Sequence, residues 1–117
     1  MMIEMLKSKI HRAKVTDANL DYEGSFSIDQ KVMKEAKILT HEAIEIYNVT
    51  NGERIKTYAI KGKKGEFCAN GAAAHKIRKG DIVIICAYAL IDEKKEKKFK
   101  PTIVNLCPDK KSRDKEC

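Results

Sequence analysis

The dipeptide Gly24-Ser25 sets a hydroxyl beside a peptide carbonyl whose own residue carries no side chain. If a turn holds the Ser25 hydroxyl against the Gly24 carbonyl, amide attack becomes intramolecular, and effective molarities can then reach about 10⁵ M or more. An N-to-O acyl shift would give an ester. Elimination from that ester would leave dehydroalanine at position 25, and hydrolysis with loss of ammonia would leave a pyruvoyl group on a new N-terminus. Gly24 lacks a Cβ and so permits strained dihedrals and crowding at the scissile carbonyl. Gly and Ser are equally the ordinary residues of a solvated turn, and the pair by itself does not separate the two readings.

A second group of residues could hold an anionic ligand. The guanidinium of Arg54 suits bidentate carboxylate binding, and Lys9 offers a point charge. Strand alternation puts Arg54, Lys56, Tyr58 and Ile60 on one face, so Arg54 and Tyr58 are expected to share a pocket while Thr57 points the opposite way. Each residue also has a plainer reading. Arg54 and Lys9 are ordinary surface charges, Tyr58 a half-buried strand aromatic, and residues 72–74, all Ala, a tight packing contact. His11 and His75 are expected as hydrogen-bonded structural groups.

The elements that must position these residues are short. Residues 5–15 suit a polar-faced strand better than a broad-striped helix. Residues 16–25 are rich in turn formers and lack a period, so the chain is expected to bend there before a short strand at 26–28. Asp29 is a candidate N-cap for a helix over residues 30–38, with Met33, Ala36 and Val32 inward. Residues 43–49 and 54–60 flank Asn51-Gly52, which predicts a β-hairpin with a tight type I′ connection. A strand at 66–69, a helical turn at 72–75 closed by Gly80, an apolar strand at 81–90 buried on both faces, and a last strand at 103–106 follow. Many short strands with small helical insertions argue for a compact β-barrel.

Composition bounds the rest. A chain of 117 residues fits one domain, and with 43% hydrophobic but only 6% aromatic residues and no Trp the core must be aliphatic. The formal charge of +7 raises a nucleic-acid-binding barrel as an alternative. Against it, the lysines mix with acids over residues 92–100 and 109–116, which reads as solvated surface and a frayed tail, and the three Phe are too scattered to stack bases. Four Cys show neither C-x-x-C pairing nor His at zinc-like spacing, so no metal is expected. Cys68 and Cys86 in apolar runs point to a reducing compartment. No signal peptide or membrane-length apolar run is visible, so the cytoplasm is expected, without membrane association.

Around the Gly-Ser pair stands Tyr22-Glu23-Gly24-Ser25, preceded by His11-Arg12 and Thr16-Asp17-Ala18 and followed by Ile28-Asp29. This resembles the processing segment of the aspartate 1-decarboxylase family. Downstream, in the same order, Asn48-Val49-Thr50-Asn51-Gly52-Glu53-Arg54 with Thr57-Tyr58 resembles that family's substrate-binding hairpin, and residues 70–75 (Asn-Gly-Ala-Ala-Ala-His) its small-residue loop. Gly80-Asp81-Ile82-Val83-Ile84 matches the family's run as well. The resemblance covers residues 5–88 and fades after Leu90; the linker from Lys61 to Phe67 is a little shorter than the family usually has.

The resemblance implies a mainly β fold, a six-stranded double-psi β-barrel with short helices, assembled as a homotetramer with sites between subunits. It implies cleavage into residues 1–24 and 25–117, with Gly24 and Ser25 at the cut and the pyruvoyl group from Ser25 as the prosthetic group, in the role pyridoxal phosphate plays elsewhere. L-aspartate would enter as a Schiff base, lose its α-carboxylate as CO2 and leave as β-alanine for pantothenate. Tyr58 is the candidate proton donor, Thr57 the donor to the developing oxyanion, Lys9 and Arg54 the carboxylate anchors, and Gly71, Ala72 and Ala73 the backbone that approaches substrate. An accessory maturation factor stays open, as does an inactive homologue that keeps the barrel and never cleaves; intact Ser25, Thr57 and Tyr58 speak against the latter.

Overall fold

A computed structural model describes residues 1–107, so the expected tail at 109–117 lies outside the described residues. Eight strands are found among the described residues: β1 (Met2–Lys14), β2 (Asp17–Asn19), β3 (Ser25–Asp29), β4 (Ala43–Asn48), β5 (Arg54–Gly62), β6 (Phe67–Asn70), β7 (Ile82–Asp92) and β8 (Thr102–Asn105). They form one continuous sheet in the order β2-β6-β3-β5-β4-β7-β1-β8. The six inner strands, β6 to β1, equal in number the strands of the expected barrel; the three-residue β2 and four-residue β8 flank them. The fold is mainly β, as expected.

Alternation builds the core from both halves of this sheet. Ile10, Val15, Phe26, Ile28, Ile44, Ile46, Val83 and Ile85 are essentially fully buried, an aliphatic core with Phe26 as its largest member. Ser8 is also fully buried, and its hydroxyl donates to the carbonyl of Ala36, which ties the end of the helix to β1. The lysines at 94, 95, 97, 98 and 100 are exposed, as a solvated surface requires.

Several local expectations are corrected. The helix α1 spans Gln30–Glu35 rather than reaching residue 38. Asp29 caps it as expected, accepting from the backbone N–H groups of Lys31 and Val32. Its end is set by Lys37 at φ 59°: Ile38 N–H donates to Met33 O (3.0 Å) and Lys37 N–H to Lys34 O (3.0 Å). That is a Schellman closure, with Ile38 and Met33 both buried against the core.

Residues 16–25 are not wholly a bend, because β2 pairs in parallel with β6 through Asp17↔Cys68. The β4–β5 hairpin forms with Tyr47↔Arg54, but its connection is no two-residue type I′ turn. Only Gly52 adopts positive φ, 81°, and its N–H donates to Asn48 O at 2.8 Å, giving a wider loop. β7 is buried along Val83, Ile85, Cys86 and Ala87, whereas Leu90 is exposed, so it is covered on both faces only in its middle. Among the described residues no helix is long and apolar enough to cross a membrane.

Candidate active site

β5 changes partner in mid-strand. Arg54 to Tyr58 pair antiparallel with β4, through Ala43↔Tyr58 and Tyr47↔Arg54, while pairing with β3 begins only at Phe26↔Ala59 and continues in parallel. Extended backwards, that parallel register would set Ser25 beside Tyr58 and Gly24 beside Thr57. The chain instead peels away before Phe26, and a cleft of about 460 Å³ opens in the gap. Gly24, Thr57, Tyr58, Asn70, Ala72 and Ala73 line it, together with Ile55, Lys56 and Lys76.

Thr57 and Tyr58, expected to point opposite ways along the strand, both line this cleft. A gap along a strand edge is reached from both faces of the pleat, so consecutive residues line it together. The expectation that Arg54 shares the Tyr58 pocket fails: neither Arg54 nor Lys9 lines the cleft. The Arg54 guanidinium carbon lies 4.7 Å from the centroid of the Tyr47 ring, a cation–π contact. Lys9 pairs with Cys86 on β7 and Ile103 on β8. Tyr47 and Tyr88 share a hydroxyl hydrogen bond of 2.7 Å, and that bond, with burial, pushes the Tyr88 phenol far above its ordinary value.

Ser25 opens β3 and is 1% exposed. Its hydroxyl donates to Glu23 O at 3.1 Å and accepts from Asn70 Nδ2 at 3.1 Å. The same amide nitrogen donates to Ser27 Oγ at 3.0 Å, and the Cys68 thiol donates to Asn70 Oδ1 at 3.3 Å. Asn70 is a member of the site that the sequence does not single out, since it stands there only as the first residue of the small-residue loop. An amide that ends the apolar run Phe67-Cys68-Ala69 was the available signal, since a polar group so placed needs partners.

The 3₁₀ turn Gly71–His75 brings the small residues in. Gly71 has φ 66°, and a Cβ there would stand 2.7 Å from Gly24 Cα and 2.8 Å from Gly24 N. Gly24 itself has no positive φ, and a Cβ built on it meets nothing within 4 Å. The glycine whose missing side chain permits crowding is therefore Gly71, not Gly24. On the other wall the His41 and Tyr58 rings meet edge-on, with centroids 5.8 Å apart.

The two histidines behave differently from expectation. His75 is exposed, while His11 has a buried Nδ1 with no hydrogen-bond partner. Burial first, then the charges of Lys9 and Arg12, lowers the His11 pKa. Cys68 and Cys86 are both free and buried, and no group of three or more His, Cys, Asp or Glu among the described residues is placed to hold a metal ion.

The site thus sets a buried serine at a strand start, held by an amide beside the cleft that Gly24 lines. The family described as "Aspartate decarboxylase" matches residues 1–113. The chain is 60% identical over 106 residues to "Aspartate 1-decarboxylase" of Campylobacter curvus (strain 525.92), covering 91% of this chain and 92% of that one. It is 59% identical over 106 residues to the protein of that name from Campylobacter concisus (strain 13826), with the same coverage, and 55% identical over 107 residues to that of Syntrophus aciditrophicus (strain SB), covering 90% and 92%. The chain belongs to the aspartate decarboxylase family.

Proposed function

We propose that the protein decarboxylates L-aspartate to β-alanine and CO2, in the supply of pantothenate, after cutting itself between Gly24 and Ser25. Family membership supports the activity, and the seating of Ser25 supports the cut. Oγ is enclosed and held by two hydrogen bonds, which reduces the freedom that an intramolecular attack would have to give up. Thr57, on the cleft wall with Gly24, is the donor for the negative charge that develops on the attacked carbonyl oxygen.

The residues fit a pyruvoyl group at position 25. β3 stays anchored after the cut by Phe26↔Ala59 and by its antiparallel ladder to β6, and residue 25 keeps Asn70 beside it. Such a group would supply an electrophilic carbonyl for the substrate amine and a sink for the electrons left by CO2. Tyr58, in the same cleft, donates the proton that completes β-alanine. Ala72 and Ala73 leave room for substrate against backbone, and Gly71 brings that backbone close.

The cations on the cleft wall are Lys56 and Lys76, while Arg54 and Lys9 lie outside it. A homotetramer accommodates that separation, with one chain's cleft completed by a neighbouring copy's Lys9 and Arg54. Arg54 then holds a carboxylate in bidentate fashion and Lys9 adds a point charge. The working compartment is the cytoplasm, where the buried thiols of Cys68 and Cys86 stay reduced.

The single observation that carries the reading is the enclosed Ser25 hydroxyl beside the cleft-lining Gly24. Intact-mass analysis tests it, on purified protein incubated alone and with cell extract so that a maturation factor would show itself. The expected result is one fragment ending at Gly24 and a second, beginning at residue 25, with a blocked terminus. Ser25→Ala abolishes both cleavage and CO2 release; persistence of either overturns the proposal.

A further inference from the structure

The antiparallel ladder of β3 and β6 pairs Ser25 with Asn70 and Ser27 with Cys68. Alternation puts these four side chains on one face of the two strands, with Phe26 and Ala69 on the other. All four are buried, Asn70 at 4% and Cys68 at 6% exposure, so their polar atoms rely chiefly on one another for hydrogen bonds. Asn70 spends both Nδ2 hydrogens on Ser25 and Ser27.

A carboxamide rotated by 180° occupies almost the same volume, so packing alone does not select this orientation. In the rotated form Oδ1 would face the two serines and take the Ser25 proton that Glu23 O now accepts. What separates the two orientations is the group on the far side. Cys68 Sγ lies 3.3 Å from Oδ1, and a protonated thiol donates there, whereas it accepts only weakly from an amide N–H. Burial, followed by the charges of Asp17 and Glu66, raises the Cys68 pKa and keeps that proton in place.

We propose that Cys68 is a positioning residue for the cleavage at Gly24-Ser25: its S–H holds the Asn70 carboxamide with Nδ2 toward Ser25, and so fixes where the Ser25 hydroxyl points its proton and its lone pairs. This rests on the self-cleavage reading above. The thiol touches neither the scissile bond nor the substrate cleft; it acts through Asn70.

The test follows the cleavage of freshly purified full-length precursor by intact mass over time, in wild type, Cys68→Ala and Cys68→Ser, with Tm measured on each. Losing one neutral donor slows Cys68→Ala about tenfold, and Cys68→Ser, which restores a donor on a side chain of similar reach, recovers most of the wild-type rate. If Cys68→Ala proves too unstable to compare, Cys68→Val fills the space without a donor and takes its place. Donor-free variants that cleave at the wild-type rate overturn the proposal. So does a Cys68→Ser rate as slow as that of the donor-free chain, which would make shape rather than the proton decisive. A wild-type chain that never cleaves sinks the underlying self-cleavage reading instead, and is told apart from the other two results by that control.

Discussion

Gly71 and Gly24 touch through backbone alone: a single added carbon on Gly71 would come within 2.7 Å of Gly24 Cα. The contact sets the small-residue loop against the residue on the N-terminal side of the bond that the proposed cleavage breaks. It also divides the labour between two glycines that look alike in sequence, since only Gly71 needs its φ of 66° and its missing Cβ.

Gly71→Ala is therefore expected to cost stability, about 1–3 kcal/mol for a side chain held in the left-handed region, and to slow cleavage by displacing Gly24. Gly24→Ala finds open space and is expected to fold within about 0.5 kcal/mol of wild type. Denaturation midpoints and intact mass on the two variants check both statements; equal stability losses would contradict them.

For Tyr58→Phe the expected outcome is ordinary maturation with kcat lowered by about 100-fold or more, the range typical of a lost general acid. Tyr58 lines the cleft but makes no hydrogen bond to Ser25, whose partners are Glu23 and Asn70. Turnover at the wild-type rate would remove the residue from its proton-donor role.

Separation of Arg54 from the cleft makes a shared site testable by mixing. Chains carrying Arg54→Ala and chains carrying Tyr58→Phe are each expected to be nearly inactive. Co-expressed, they should regain about one quarter of wild-type activity, because a site that draws its two residues from different chains finds both intact in that share of random assemblies. Mixed tetramers as inactive as their parents would place both residues in the same chain's site.

Asp29 joins α1 to the loop before β6, accepting from Gly65 N–H at 2.7 Å and from Lys31 N–H at 2.8 Å. The Gly65 hydrogen bond leads the causes that hold its carboxyl below the ordinary value of 3.8. With the folded pKa depressed, the unfolded chain binds the proton first. The contribution to stability is then complete above the unfolded value and is lost as pH falls through the folded one. Thermal melts from pH 6 down to 3 should show this loss in wild type and a shallower one in Asp29→Asn, which keeps a capping oxygen but cannot titrate. Parallel curves would exclude the linkage.

How much of this was legible beforehand depends on the range of each interaction. The Asp29 cap, the strand over residues 26–28 and the two hairpin strands are local, set by a side chain and its near neighbours or by alternation. The helix end was misjudged because a Schellman closure depends on Lys37 entering a conformation that its residue type does not advertise. β2 was missed because three residues gain strand structure only from a partner some fifty positions away in sequence, at Cys68.

The sequence by itself determined the family, the aliphatic core and the residue types at the site, because composition, order and spacing are properties of the chain. Only the tertiary structure decided that Thr57 and Tyr58 open onto one gap, that Arg54 and Lys9 lie outside it, and that Asn70 and Cys68 surround Ser25. Those relations arise where β5 exchanges β4 for β3 and where β3 meets β6. Register between distant strands is fixed by the burial of whole faces, and no short stretch of sequence encodes it.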